Sequence, residues 1–132
     1  MKSKNEEKVL MGKRSRRKGL DFELKVRNFL KFKGWIVDKW TNNIDLQDNS
    51  IIKAKHNKFH GSTGFPDFFM FRRIIDATNE YEIQFVECKI NNTLDKIEKQ
   101  KIQVLKDMGF CCLVAYEDDG EIKFRNPKEY RN

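Results

Sequence analysis

Cysteine is scarce in this chain, and what there is cannot build a disulfide framework. There are three, Cys88, Cys111 and Cys112. An odd count with two adjacent fits a reducing cytosol better than a secreted scaffold. Histidine is scarcer. His56 and His60 stand four apart, and with the cysteines they fit no closed four-ligand zinc pattern. No apolar run approaches the roughly 20 residues of a membrane span, so no membrane partner is expected. The opening "MKSKNEEKVLMGKRSRRKG" lacks the apolar centre of a signal peptide. The expected location is therefore intracellular and cytoplasmic.

What is present points to one soluble domain. The chain has 132 residues, 39% hydrophobic and 36% charged, with eleven Phe. That is enough for one core and too apolar for a disordered chain. The charge is unevenly placed. Residues 1–39 carry 13 Lys and Arg against 5 Asp and Glu, a net of +8, while the rest nearly balances. The densest run, Lys13, Arg14, Arg16, Arg17 and Lys18, could neutralise phosphates and release counterions; a solvated tail or a targeting tag would look the same.

Periodicity gives the elements. Residues 1–17 read as a basic flexible arm with a short helical piece near Val9–Met11, and 18–132 as the single folded domain. A helix is expected from about Leu20 to Lys33, because Phe22, Val26, Phe29 and Leu30 share one face, with Gly34 as its stop. "WIVDKW" reads as a short strand. Residues 41–65 read as a long loop with a short strand at Ile51–Ile52, and loops of that length are usually functional or mobile. "PDFFMFRRII" and "EIQFVECKI" form an antiparallel hairpin. Leu94, Ile97, Lys101, Val104, Leu105 and Met108 line one face of a second helix ended by Gly109. "FCCLVAY" is a buried strand and "EIKF" a short final one. The fold class is α/β, a mixed β-sheet with flanking helices in the order αβββαβ.

"FVECKI", residues 85–90, poses the chemical question. Side chains alternate along a strand, so Glu87 and Lys89 share a face inside an apolar run. A buried charge costs several kcal/mol unless paired or metal-bound. The two could simply neutralise each other. Asp67, however, opens the partner strand, and the hairpin can set its carboxylate beside that of Glu87. Two such carboxylates repel unless a cation holds them. Hard oxygen ligands suit Mg²⁺ or Mn²⁺, which use one or two carboxylates plus water and substrate phosphate. A lysine beside them could orient the nucleophile or stabilise developing negative charge. These are the parts for metal-assisted phosphodiester hydrolysis. Ser62 and Gly64 could present a hydroxyl or backbone N–H groups to a phosphate, or form only a turn. Cys88 alternates away from Glu87 and Lys89 and reads as core.

The succession "FPD", about twenty residues, "ECK" resembles the PD-(D/E)XK nuclease superfamily. "RKGLDFELKVRNFLKFKGWIVDKW" is similar to the first helix and strand of archaeal Holliday-junction resolvases, where a helical Glu corresponds to Glu23 here. "GSTGFPDFF" also resembles the approach to the metal strand in virus-type replication-repair (VRR-NUC) nucleases. "LDKIEKQKIQVLKDMGFCCLVAY" is similar to the helix and strand that follow. The resemblance spans roughly residues 16–116. It implies a restriction-endonuclease-like core and a DNA endonuclease, structure-selective for Holliday junctions or other branched DNA, leaving 5′-phosphate and 3′-hydroxyl ends. In that reading Asp67, Glu87 and the carbonyl of Cys88 bind the metal, with Glu23 at a second site or on a metal water. Lys89 aligns the attacking water, and a helix glutamine, Gln100 in preference to Gln103, positions Lys89 or a phosphate. The basic run, Ser62 and a Lys25, Arg27 and Lys31 face hold DNA. Resolvases of this type are dimers, so a homodimer is the partner the resemblance suggests. The loop from Thr41 to Thr63 is longer than the resolvase connection, which leaves the substrate open. The alternatives are an inactive nucleic-acid-binding module of the same fold, or an interaction protein with a basic arm.

Overall fold

The first helix begins far upstream of its apolar stripe. In the computed structural model, which describes residues 3–57, 61–62, 64–75 and 79–128 (backbone alone at 56, 57, 61 and 62), α1 runs from Lys4 to Phe32. The stretch read as a mobile arm is thus helical from Lys4 onward. Ser3 and Glu6 explain the start. The Ser3 hydroxyl accepts the Glu6 N–H at 3.2 Å and the Glu6 carboxylate accepts the Ser3 N–H at 3.4 Å, a reciprocal cap. Good helix formers then carry the helix across Gly12 and Gly19, each of which costs about 1 kcal/mol. Among the described residues none before Phe22 is buried. Anchoring comes from Phe22, Val26 and Leu30, whose burial is worth about 1.5–3 kcal/mol each. Gly34, at φ +96°, ends the helix: its N–H reaches the Lys31 carbonyl and that of Trp35 the Leu30 carbonyl.

The main sheet has five strands. The chain forms β1 (Ile36–Lys39), then β2 (Asn42–Asp45), β3 (Ser50–Lys53), β4 (His56–Asn57) and β5 (Gly61–Ser62). It continues with β6 (Phe68–Arg73), β7 (Tyr81–Cys88), α2 (Lys96–Asp107), β8 (Cys111–Asp118) and β9 (Glu121–Arg125). The order in the sheet is β1-β6-β7-β8-β9. β6 and β7 form the expected antiparallel hairpin, with Phe69 opposite Phe85. β7 and β8 run parallel through α2, and β8 and β9 close antiparallel over Asp119 and Gly120, both at positive φ. The architecture is α/β with a mixed sheet.

One helix covers each sheet face. Phe22, Val26 and Leu30 of α1 pack on Phe68, Met70, Val86 and Ala115. On the other face Phe85, Cys112 and Val114 meet Ile102, Val104 and Leu105 of α2, with Leu94, Ile44 and Phe65. Two expectations change here. Residues 41–65 carry two small antiparallel hairpins, β2–β3 and β4–β5; the strand expected at Ile51–Ile52 is β3, and the rest of the expected loop holds β2, β4 and β5. Backbone bonds from Ala54 to Thr41 and from Phe65 to Asn42 fasten this insertion at its base. The face of α2 is also rotated. Ile102 is its centre, while Ile97 and Met108 are 50% and 40% exposed.

Candidate active site

The strand ends bring the acids together. Asp67 precedes β6 by one residue and Glu87 is the penultimate residue of β7. The hairpin register carries Phe69 opposite Phe85, so continuing it sets Asp67 beside Glu87. The two interlock. The Asp67 N–H donates to Glu87 Oε1 at 3.1 Å, and the Cys88 N–H donates to Asp67 Oδ2 at 2.8 Å. A strand residue's N–H and C=O point to the same side, so the Cys88 carbonyl shares the Asp67 side. Its side chain packs with the α1 core.

Lys89 follows β7 directly, and its Nζ lies 3.7 Å from Glu87 Oε2. It is also in ion-pair contact with Glu98 of α2. Glu98 is a residue that the sequence reading misses. It completes the α2 cap with Asp95, accepting the Asp95 N–H at 3.0 Å with one oxygen while the other faces Lys89. The signal is the "DKIE" capping box, which puts that carboxylate at the helix start, close to the end of the preceding strand.

Glu23 of α1 borders the same cleft as Asp67 and pairs with Arg27 at 3.6 Å. The carboxyls gathered here are all raised. Burial, then the neighbouring Asp67, push the Glu87 carboxyl well above the usual carboxylate range. Burial raises Asp67 too, only partly offset by the Cys88 N–H. Glu23 is raised by burial and by Asp67. Burial alone would lower the Lys89 ammonium, but the Glu98 contact and the Glu87 and Asp67 carboxylates outweigh it and hold it above the ordinary lysine value.

Other expected residues lie elsewhere. Gln100 is exposed, and with Gln103 it lines a separate cleft of about 300 Å³ beside Leu46 and Asn49. Gln103 donates to Asp107 at 3.0 Å. Lys13, Arg14, Arg16, Arg17 and Lys18 are all exposed on α1. Arg16 borders the acidic cleft, one helical row from Leu20 and Glu23. Lys25, Arg27 and Lys31 do not form one face. Two residues along a helix turn it by about 200°, so Lys25 pairs with Glu117 at 3.8 Å while Arg27 turns to Glu23 and sits over the Phe68 ring. Gly64 borders the cleft with Asp67. The side chains of Ser62 and His56, and all of His60, lie outside the described residues.

Among the described residues no group of three or more His, Cys, Asp and Glu converges as a ready-made metal centre. Mg²⁺ asks for less, one or two carboxylates with the remaining positions taken by water and phosphate. Asp67 and Glu87, adjacent, both raised by burial and Glu87 further by Asp67, have that chemistry. Compared with family models, with curated proteins and with solved structures, the chain matches none.

Proposed function

We propose that this chain is a metal-dependent nuclease of the PD-(D/E)XK type that hydrolyses phosphodiester bonds in DNA, and that its core is of the restriction-endonuclease-like kind. The observation carrying the reading is the interlocked pair Asp67 and Glu87 with Lys89 3.7 Å away, at one end of a buried hairpin beside a basic helix. The succession α1, β1, β6, β7, α2, β8 supports it, since it keeps the αβββαβ order around the insertion.

Asp67, Glu87 and the Cys88 carbonyl would hold Mg²⁺ or Mn²⁺, with Glu23 beside them. The cation supplies Lewis-acid polarisation of the phosphate. Lys89 supplies a fixed positive charge: its ammonium can hydrogen-bond the attacking water or a phosphate oxygen and stabilise charge in the transition state. Glu98 holds that ammonium in place, a positioning role. The exposed basic residues of α1 neutralise backbone phosphates. A second reading, a binding module of the same fold without activity, is favoured by one feature: Lys89 is engaged by both Glu87 and Glu98. The test is cleavage of supercoiled plasmid and of duplex, single-stranded, flapped and branched oligonucleotides with Mg²⁺, Mn²⁺ or chelator. Cutting that requires the cation is expected. Cutting that persists in chelator, or a clean protein that cuts none of these, rejects the proposal.

A further inference from the structure

The first half of α1 carries charge that nothing in the molecule answers. No described residue from Lys4 to Asp21 is buried. Among the described residues Lys13, Arg14, Arg16, Arg17 and Lys18 have no ion-pair partner, whereas Lys25 and Arg27, further along the same helix, pair with Glu117 and Glu23. Five uncompensated cations on a helix that packs on nothing match an anionic partner. A lipid surface or a coiled partner would need an apolar stripe. From Lys13 to Lys18 there is no apolar side chain at all. Val9 and Met11, 56% and 65% exposed, are turned about 200° apart and make no stripe either.

The cations leave one side of the helix open. Residues seven apart on a helix lie within about 20° of one line. Gly12, Gly19 and Val26 are so spaced. Val26 is fully buried against the sheet. The glycines therefore continue the line of α1 that faces the sheet. Gly19 is where that line meets the acids, since it borders a cleft of about 310 Å³ with Asp67 and Cys88. Arg16 borders the same cleft. Arg16 and Lys18 flank the glycine face, about 60° to one side of Gly19 and about 100° to the other. No internal packing requires the glycines, because a Cβ at either position would meet no neighbouring atom within 4 Å. Glycine is a poor residue inside a helix, and its use is the close approach of another backbone or a ligand.

We infer that a DNA strand lies with its sugar–phosphate backbone along the Gly12–Gly19 face of α1, flanked by Arg16 and Lys18, and passes from there to the acid pair. The inference rests on the nucleic-acid reading of that site and names the surface that leads the strand into it. Arg16 and Lys18 meet the phosphates on the helix; the carboxylates of Asp67 and Glu87 do so only through their cation. From Gly12 to Gly19 the helix rises about 10 Å, about three phosphate steps of a duplex strand.

Adding side chains without touching charge tests this. The full chain, in chelator, is titrated with labelled duplex DNA by fluorescence anisotropy. The pair Gly12→Ala, Gly19→Ala should keep or raise Tm and the helix signal in circular dichroism, since the methyl groups enter open space and alanine favours the helix. It should nevertheless weaken binding about threefold, and the pair Gly12→Leu, Gly19→Leu on the order of tenfold. If the leucine pair lowers Tm, the alanine pair alone decides. Arg16→Gln should lower the slope of log affinity against log salt by about 0.9. Glycine variants that bind as tightly as the parent overturn the inference. So do variants that change only the sedimentation coefficient, which would mean that a second copy of the chain lies on this face, and so does a parent that binds no DNA. Cleavage in Mg²⁺ is scored separately. A parent that cuts, with glycine variants that bind as it does, would end this inference and leave the nuclease; glycine-dependent binding without cleavage would do the reverse.

Discussion

Glu87→Gln should stabilise the metal-free protein. Glu87 is 4% exposed, and its carboxylate lies against Asp67 with Lys89 3.7 Å away as the compensating charge. Taking a carboxylate out of water still costs several kcal/mol after relaxation, and one lysine shared with Glu98 returns only part of that. The amide oxygen can keep the bond from the Asp67 N–H while shedding the charge. A net gain of about 1–3 kcal/mol is expected, and at this chain length about 1 kcal/mol moves Tm by roughly 4 °C. The pH dependence has a definite sign. Glu87 is raised in the folded state, so between the ordinary carboxylate value and the raised one the folded chain binds more protons than the unfolded chain. The stability this contributes is present below the ordinary value and is lost as pH rises through the raised one. The parent-minus-variant difference in Tm should therefore grow more negative from pH 4.5 toward 8. Thermal melts in chelator measure it. Adding Mn²⁺ should then raise the parent's Tm by mass action and leave the variant nearly unchanged. A variant less stable than its parent in chelator at pH 7 would show that the carboxylate is satisfied as it stands and needs no cation.

Three further outcomes follow from the same geometry. Glu98→Gln keeps an amide able to complete the Asp95 cap but loses the charge facing Lys89, so cleavage should drop about tenfold with Tm nearly constant; a fall in Tm with cleavage intact would make Glu98 a cap alone. Replacing Lys13, Arg14, Arg17 and Lys18 with Gln should weaken duplex binding and reduce the slope of log affinity against log salt by about 0.9 for each phosphate no longer neutralised; an unchanged slope removes α1 from the DNA interface. Gly109→Ala puts a side chain on a residue at φ +93° and should cost about 1 kcal/mol or more in denaturant melts; a neutral effect would mean that the helix end relaxes.

How much of the fold is legible in the sequence depends on burial. The stripe Phe22, Val26, Leu30 marks the anchored half of α1, because those residues pack. Its first half buries nothing, so periodicity gives there no more than the short helical piece near Val9–Met11, and the Ser3–Glu6 cap marks its start. The β6–β7 hairpin is readable because alternation and burial coincide in it, and with it the meeting of Asp67 and Glu87. Of the insertion's strands only the one at Ile51–Ile52, within β3, is readable; the others are not, since Ile44 is the one buried side chain in β2 and β3. The face of α2 is misplaced when Leu94 is counted as helical, because the helix begins at Lys96; that rotates the wheel toward Ile97 and Met108 and away from Ile102. Choosing a glutamine on α2 also hides Glu98, whose capping pattern accounts for it without any reference to Lys89.

The central claim is that Asp67, Glu87 and Lys89 act as one hydrolytic unit, and single-turnover cleavage combined with Mn²⁺ binding tests it most directly. Parent, Asp67→Asn, Glu87→Gln and Lys89→Ala are purified in parallel, and each is measured for cutting of a substrate the parent cleaves and for Mn²⁺ affinity. The account predicts that all three variants lose cleavage, that the two carboxylate variants also lose Mn²⁺, and that Lys89→Ala keeps Mn²⁺ while its rate falls by about 10²-fold or more. Variants that cut as fast as the parent, or carboxylate variants that bind Mn²⁺ as tightly as the parent, would contradict it.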